Sequence, residues 1–194
     1  MTTTERLELF APLPDFRLPS ADGKAVDTKD YRGVDALLVA FIDNASPSCR
    51  RVHSALGKLA WEYRRRGVAM LVVNLSAGRA SEESAAAMRL TARDAGWSMP
   101  YLMDRGQSVA RGFGVRCVPD FFVFDRDRRL AYHGRFDGTL PEDPADGDDL
   151  REALEATLAH EAPVLGRPSA GAPIPRPEKA TETESRESPE PAAP

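Results

Sequence analysis

Two stretches of the chain are apolar without a break, Ala36-Leu-Leu-Val-Ala-Phe-Ile42 and Val68-Ala-Met-Leu-Val-Val-Asn74. Continuous runs of this length predict strands buried on both faces. Between them, Val52, Leu56, Leu59 and Tyr63 recur at helical spacing. They predict a helix from about Pro47 to Arg66, with Arg50, Arg51, Lys58 and Arg64 on its wet side. Phe121-Phe-Val-Phe124 and Leu130-Ala-Tyr-His133 flank the turn Asp125-Arg-Asp-Arg128 and read as an antiparallel hairpin. Pro12 to Asp27 reads as an N-terminal ribbon turning at Asp22-Gly23. Ser81, with Glu82 and Glu83 in the first turn, is expected to open another helix that stops at Gly96. A last helix is expected with Asp149 as cap and Glu152 as its capping partner. Its buried face is Leu150, Ala153, Leu154, Thr157 and Leu158. Strand–helix–strand units followed by a hairpin and a closing helix describe an α/β protein, a central mixed sheet covered on both faces.

The length of 194 residues has room for one domain with a sizeable core. Its end is expected near Glu161, giving a domain over 1–161. Half of the sixteen prolines fall after that point, and from Glu178 onward no hydrophobic residue larger than alanine occurs. Such a stretch cannot bury enough apolar surface to offset chain entropy, so 162–194 is expected to be a disordered, Pro/Glu-rich tail. A formal net charge of -4 gives no basic footprint for nucleic acid. No apolar run reaches the ~20 residues of a membrane span. The polar start, Met1 to Glu8, lacks a secretory pattern, and the expectation is a cytoplasmic protein.

Two cysteines, Cys49 and Cys117, exclude a staple framework and a four-thiolate zinc site, and His53, His133 and His160 are too scattered to supply a metal centre. No cofactor is expected. The thiols are therefore either core residues or redox groups.

The segment Val39-Ala-Phe-Ile-Asp-Asn-Ala-Ser-Pro-Ser-Cys49-Arg50 joins a strand to a helix start, and Cys117-Val-Pro119-Asp-Phe-Phe-Val-Phe-Asp125 puts a proline before a strand. Together with Gly134-Arg-Phe-Asp137, an acidic loop and a closing helix, these resemble the thioredoxin superfamily. Within it the chain is similar to bacterial peroxiredoxin-like, redoxin-domain proteins over residues 12 to 172. The resemblance implies a thioredoxin-like fold, a Cys-x-x-Cys site opening the helix, and a cis-proline at Pro119 that shapes the substrate groove. The site departs from that pattern. The exposed first cysteine is Ser46, the buried carboxylate of the preceding strand is Ala40, and the tail cysteine expected after Pro168-Ser-Ala-Gly171 is Ala172. A dithiol cycle using the first motif position or the tail position is thereby excluded.

Cys49 aligns with the peroxide-reactive cysteine of peroxiredoxins, preceded by the Ser46 hydroxyl. A helix N-terminus and nearby cations (Arg50, Arg51, His53) lower a thiol pKa. The upstream peroxiredoxin proline is Ile42, however, and the arginine of that family aligns near Pro119, leaving Arg116 as its substitute. Cys117 sits two residues before Pro119 and could resolve an oxidised Cys49, remain an exposed thiol or be inert. The candidate site is Cys49, Ser46, Cys117, Pro119 and Arg116. Two readings follow. One is a thiol redox protein acting on peroxide or disulfide substrates through Cys49, with an external thiol reductant, glutathione among the options. The other is a redox-silent module that holds a protein partner in the groove beside Pro119.

Other residues carry blander expectations: Ser46 as a helix cap, His133 as a partly exposed sheet residue, and His160 as a cation at a helix end. Trp61 and Trp97 read as packing residues and Arg64 to Arg66 as a solvated helix end. The acidic loop from Asp137 to Asp149 does not fit the calcium-loop template.

Overall fold

The computed structural model describes residues 7–139 and 143–174. Five strands form the central sheet in the order β5-β4-β3-β7-β8, with β3 (Ala36–Ile42) in the middle. β4 (Val68–Asn74) and β5 (Tyr101–Met103) continue it in parallel; β7 (Asp120–Asp125) and β8 (Leu130–Gly134) continue it antiparallel. Every residue of β3 is buried, as its unbroken apolar run requires. The expected ribbon is present as β1 (Arg17–Pro19) and β2 (Ala25–Asp27), turning through Gly23 at φ +81°. β5 was not anticipated: three residues are too few to show a period, and its partner β4 fixes it.

Helix α1 (Pro47–Arg64) follows β3 directly and lays its Val52, Leu56, Leu59 and Tyr63 stripe on the sheet. α4 (Asp148–Leu158) lies beside it, joined by ion pairs Arg66–Glu155 and Arg151–Glu62 and by Tyr63 Oη donating to Glu155, while Arg51 pairs with Asp137 in the segment between β8 and α4. On the other side, Phe113 of α3 (Ser108–Phe113) meets Phe16, Phe41, Phe122 and Phe124 edge-on. The sheet is thus covered on both faces.

Three local expectations are corrected. Ser81 starts only a 3-10 turn, and α2 (Ala85–Asp94) is capped instead by Ser84, whose Oγ accepts from the Ala87 amide. Asp149 lies inside α4, whose cap is Gly147 in the left-handed region at φ +76°. A side chain there would strike the Phe136 ring, so the turn selects glycine over a capping carboxylate. The domain also runs on past Glu161. Ala172–Pro173 form β9, which pairs antiparallel with β6 (Cys117–Val118), and the Arg167 carbonyl accepts from the Arg135 amide. These backbone bonds have no apolar pattern behind them, which hides the segment from a reading of periodicity. The proposed tail beyond Ile174 lies outside the described residues.

Candidate functional site

The chain leaves β3 at Ile42, turns through Asp43, Asn44, Ala45 and Ser46, and enters α1 at Pro47. Proline suits the first helical position because that amide needs no partner. Ser46 occupies the cap position but makes no cap bond. Its Oγ donates instead to Asp43 Oδ2 at 2.6 Å, and its amide donates to Asp43 Oδ1 at 2.7 Å. An ionised acceptor outcompetes a backbone amide for the hydroxyl, and the expected cap is replaced by this bracket.

Cys49 is in the first turn of α1 and is wholly buried. The Asp43 amide donates to its Sγ at 3.4 Å. Burial drives the thiol pKa far upward, and the negative charge of Asp43 adds to the rise. The cations that were expected to oppose this are turned elsewhere. Arg50 is exposed. Arg51 binds Asp137 Oδ1 at 2.7 Å and Thr139 Oγ1 at 2.8 Å. His53 is itself buried, which lowers its pKa and disfavours the imidazolium. Its ring meets Trp97 edge-on at 5.4 Å, and its carbonyl accepts from Trp97 Nε1. Cys49 is therefore a thiol at neutral pH, without the stabilised anion that the helix start alone promised.

A buried carboxylate holds the loop before α1 from another element. Glu83 ends the 3-10 turn after β4 and is 3% exposed. It accepts from the Asn44 amide at 2.9 Å, the Ala45 amide at 3.0 Å and Asn74 Nδ2 at 2.6 Å. Tyr101 Oη extends the network by donating to Asn44 Oδ1 at 2.8 Å. Burial raises the Glu83 pKa, against these bonds, which lower it. The sequence places Glu83 only in the first turn of a helix, with no sign of this network at that residue. The available signal was Asn74, a polar residue closing an otherwise apolar buried strand, which needs a buried partner.

The peptide bond between Val118 and Pro119 is cis, as the resemblance implied. The first turn of α1 reaches it: Ser48 Oγ donates to the Val118 carbonyl at 3.2 Å. Ser46, Cys49, Cys117 and Pro119 thus belong to one neighbourhood, but the thiols face different partners. Cys117 is half-buried, and its Sγ donates to the Ser169 carbonyl at 3.2 Å. Neither cysteine is in a disulfide. Arg116 has an exposed side chain, while its carbonyl accepts from the Ile174 amide. It does not approach Cys49 through any hydrogen bond or ion pair recorded among the described residues.

His133 is corrected from a partly exposed residue to a buried one. It stacks on Phe122 at 3.9 Å, and its Nε2 lies 3.0 Å from Asp120 Oδ2. Asp120 also accepts from Ser169 Oγ at 2.6 Å. Trp61 is 72% exposed rather than packed, and Trp97 is packed as expected. His160 lies just past the end of α4 at φ +57°. No group of three or more His, Cys, Asp or Glu able to hold a metal occurs among the described residues. No described helix is long and apolar enough to cross a membrane.

A parallel–antiparallel sheet with a helix opening at the end of its central strand, and a cis-proline opposite that opening, defines a thioredoxin-like protein. Residues 11–150 match the Redoxin family, and the chain belongs to it. It is similar to a hypothetical protein from Sinorhizobium meliloti 1021, with 37% identity, a TM-score of 0.83, and coverage of 91% of this chain and 97% of that one. It is also similar to the thiol-disulfide oxidoreductase ResA of Bacillus thuringiensis, with 22% identity over 66% of this chain and 70% of that protein. In fold it resembles a putative thiol:disulfide interchange protein DsbE from Chlorobium tepidum, with 22% identity, a TM-score of 0.64, and coverage of 78% of this chain and 99% of that one.

Proposed function

We propose that this redoxin is a one-thiol disulfide-exchange protein whose reacting sulfur is Cys117, with Cys49 a core residue. The observation that carries this reading is the contrast between the thiols: Cys49 is wholly buried with a raised pKa, whereas Cys117 is only partly buried beside Pro119. Membership of a redoxin family with thiol-disulfide oxidoreductase relatives supports the chemistry. Peroxide reduction at Cys49 would need a solvent-exposed thiolate, which that residue lacks.

The Cys117 thiolate attacks one sulfur of a substrate disulfide, forming a mixed disulfide and releasing the other sulfur as a thiolate. An external low-molecular-weight thiol then attacks the Cys117 sulfur and frees the second substrate thiolate. A second external thiol releases Cys117 and leaves as the disulfide of the reductant. One substrate disulfide is reduced and two external thiols are oxidised. This scheme suits a reducing compartment such as the cytoplasm.

The test is glutathione-driven reduction of hydroxyethyl disulfide by the full chain. Cys117→Ser loses more than nine-tenths of the turnover, and Cys49→Ala keeps most of it. The reverse pattern overturns the proposal. Absence of turnover in the unaltered chain favours a second reading, a redox-silent protein that holds a partner. What supports that one is Ser46 at the exposed motif position, engaged by Asp43 rather than available as a thiol.

A further inference from the structure

Asp120, His133 and Ser169 take no part in the exchange scheme, yet they form one hydrogen-bonded chain that ends on Cys117. Asp120 opens β7 directly after Pro119 and is 3% exposed. Both of its carboxylate oxygens lie against His133 Nε2, at 3.1 Å and 3.0 Å. His133 is held in turn by its stack on Phe122 at 3.9 Å, which fixes where the carboxylate sits. From the other side, Asp120 Oδ1 accepts the Ser169 hydroxyl at 2.6 Å, and the Ser169 carbonyl accepts the Cys117 thiol at 3.2 Å.

The last link has a chemical consequence. A carbonyl can accept S–H, but it has no proton to offer a thiolate. A hydrogen bond made to the neutral form of an acid disfavours ionisation, and the thiolate is the nucleophile. The Ser169 carbonyl therefore holds Cys117 in its unreactive form. Backbone bonds fix the chain on either side of it: the Arg167 carbonyl accepts from the Arg135 amide, and Ala172–Pro173 pair with β6. Ser169, between these anchors, is only half-buried, and its hydroxyl points inward to Asp120. That short bond to a carboxylate is what orients the Ser169 peptide toward the sulfur.

We infer that Ser169 is a guard on the Cys117 thiol and that Asp120, backed by His133, is the positioning residue that holds the guard in place. Neither acts on a substrate; both act on the protonation of the sulfur. The charged groups on the elements packed around β6 are Arg116 beside Cys117, Asp120 on β7, Arg167 on the returning segment, and Arg50 and Arg51 on α1. Arg51 is engaged by Asp137, and the side chains of Arg50, Arg116 and Arg167 are exposed. Cations favour a thiolate, so the Ser169 carbonyl is the element that opposes them. The consequence for turnover rests on the role given to Cys117 above; the guard itself is tested without turnover.

The test is the pH dependence of iodoacetamide alkylation of Cys117 in the full chain, with the labelled site located by mass spectrometry. Ser169→Ala removes the hydroxyl and leaves the backbone. Its alkylation midpoint falls by about half a pH unit, a roughly threefold gain in thiolate fraction below the midpoint. Ser169→Thr keeps the hydroxyl and keeps the midpoint of the unaltered chain. Asp120→Asn lowers the midpoint by itself but adds nothing to Ser169→Ala, because Asp120 acts through Ser169. An unchanged midpoint in Ser169→Ala overturns the inference, even where the rate rises at every pH, since that is shielding alone. A lowered midpoint in Ser169→Thr overturns it too. So does an Asp120→Asn shift that persists in Ser169→Ala, which is direct repulsion between carboxylate and thiolate. If Asp120→Asn loses its near-ultraviolet dichroism, the alanine and threonine variants decide alone. Alkylation does not need the exchange reaction. Failed hydroxyethyl disulfide turnover with a lowered Ser169→Ala midpoint leaves the guard standing and removes Cys117 from exchange; sound turnover with an unchanged midpoint does the reverse.

Discussion

Ser46 is held twice by Asp43, through its hydroxyl at 2.6 Å and its amide at 2.7 Å. The same Asp43 donates its own amide to the sulfur of Cys49. One residue thus engages the position where the fold's first thiol would stand and lies against the second.

Ser46→Cys is expected to introduce a thiol that stays sluggish, because the adjacent Asp43 carboxylate opposes its ionisation. Adding Asp43→Asn should speed its reaction with iodoacetamide at pH 7 by roughly tenfold, the worth of about one pKa unit in thiolate fraction. Equal rates in the single and double variants would sink this account.

Cys49 should govern part of the alkaline stability. Its folded pKa is raised, so the unfolded thiol ionises first, near about 8.5. Stability present below that pH is lost as pH rises, because the unfolded state releases the proton that the folded state keeps. From pH 8.5 to 10 the loss is about 2 kcal/mol at ~1.36 kcal/mol per pH unit. Urea unfolding of Cys49→Ala should lack this part of the slope; identical pH profiles for the two proteins would refute it.

Glu83→Ala removes the acceptor for the buried Asn44 amide, the part-buried Ala45 amide and the buried Asn74 Nδ2. Leaving such donors unpaired costs at least about 2 kcal/mol. Denaturant melts should show that loss, with faster exchange of the Asn44 and Ala45 amides. A change below about 0.5 kcal/mol, the ordinary scatter of surface substitutions, would mean that the loop does not depend on this carboxylate.

Gly57→Ala tests how closely α1 and the end of α2 approach. The added Cβ would lie 2.3 Å from the Ala95 carbonyl oxygen and 3.0 Å from Trp97 Cδ1. Overpacking of this kind costs about 1–3 kcal/mol, visible as a lower Tm. An unchanged or higher Tm would show that α2 yields without cost.

Both long strands were legible to the residue in Ala36–Ile42 and Val68–Asn74, because a strand buried on both faces must be apolar throughout. Helix α1, the hairpin of β7 and β8 and the ribbon turn at Gly23 followed from period and turn chemistry. The loss of thiols at Ser46 and Ala172, and of a carboxylate at Ala40, was equally plain, since residue identity alone decides it. What the sequence could not settle was environment. Arg50, Arg51 and His53 stand near Cys49 along the chain, yet Arg51 is drawn to Asp137, 86 positions away, and His53 is buried against Trp97. The carboxylate that holds the loop before α1 comes from Glu83, 39 positions from Asn44, and the strand paired with β6 comes from the far end of the described chain. Local pattern determines strands, helices and which side chains exist. Charge, protonation and access at Cys49 and Cys117 are set by burial and by partners distant in sequence, which only the folded chain brings together.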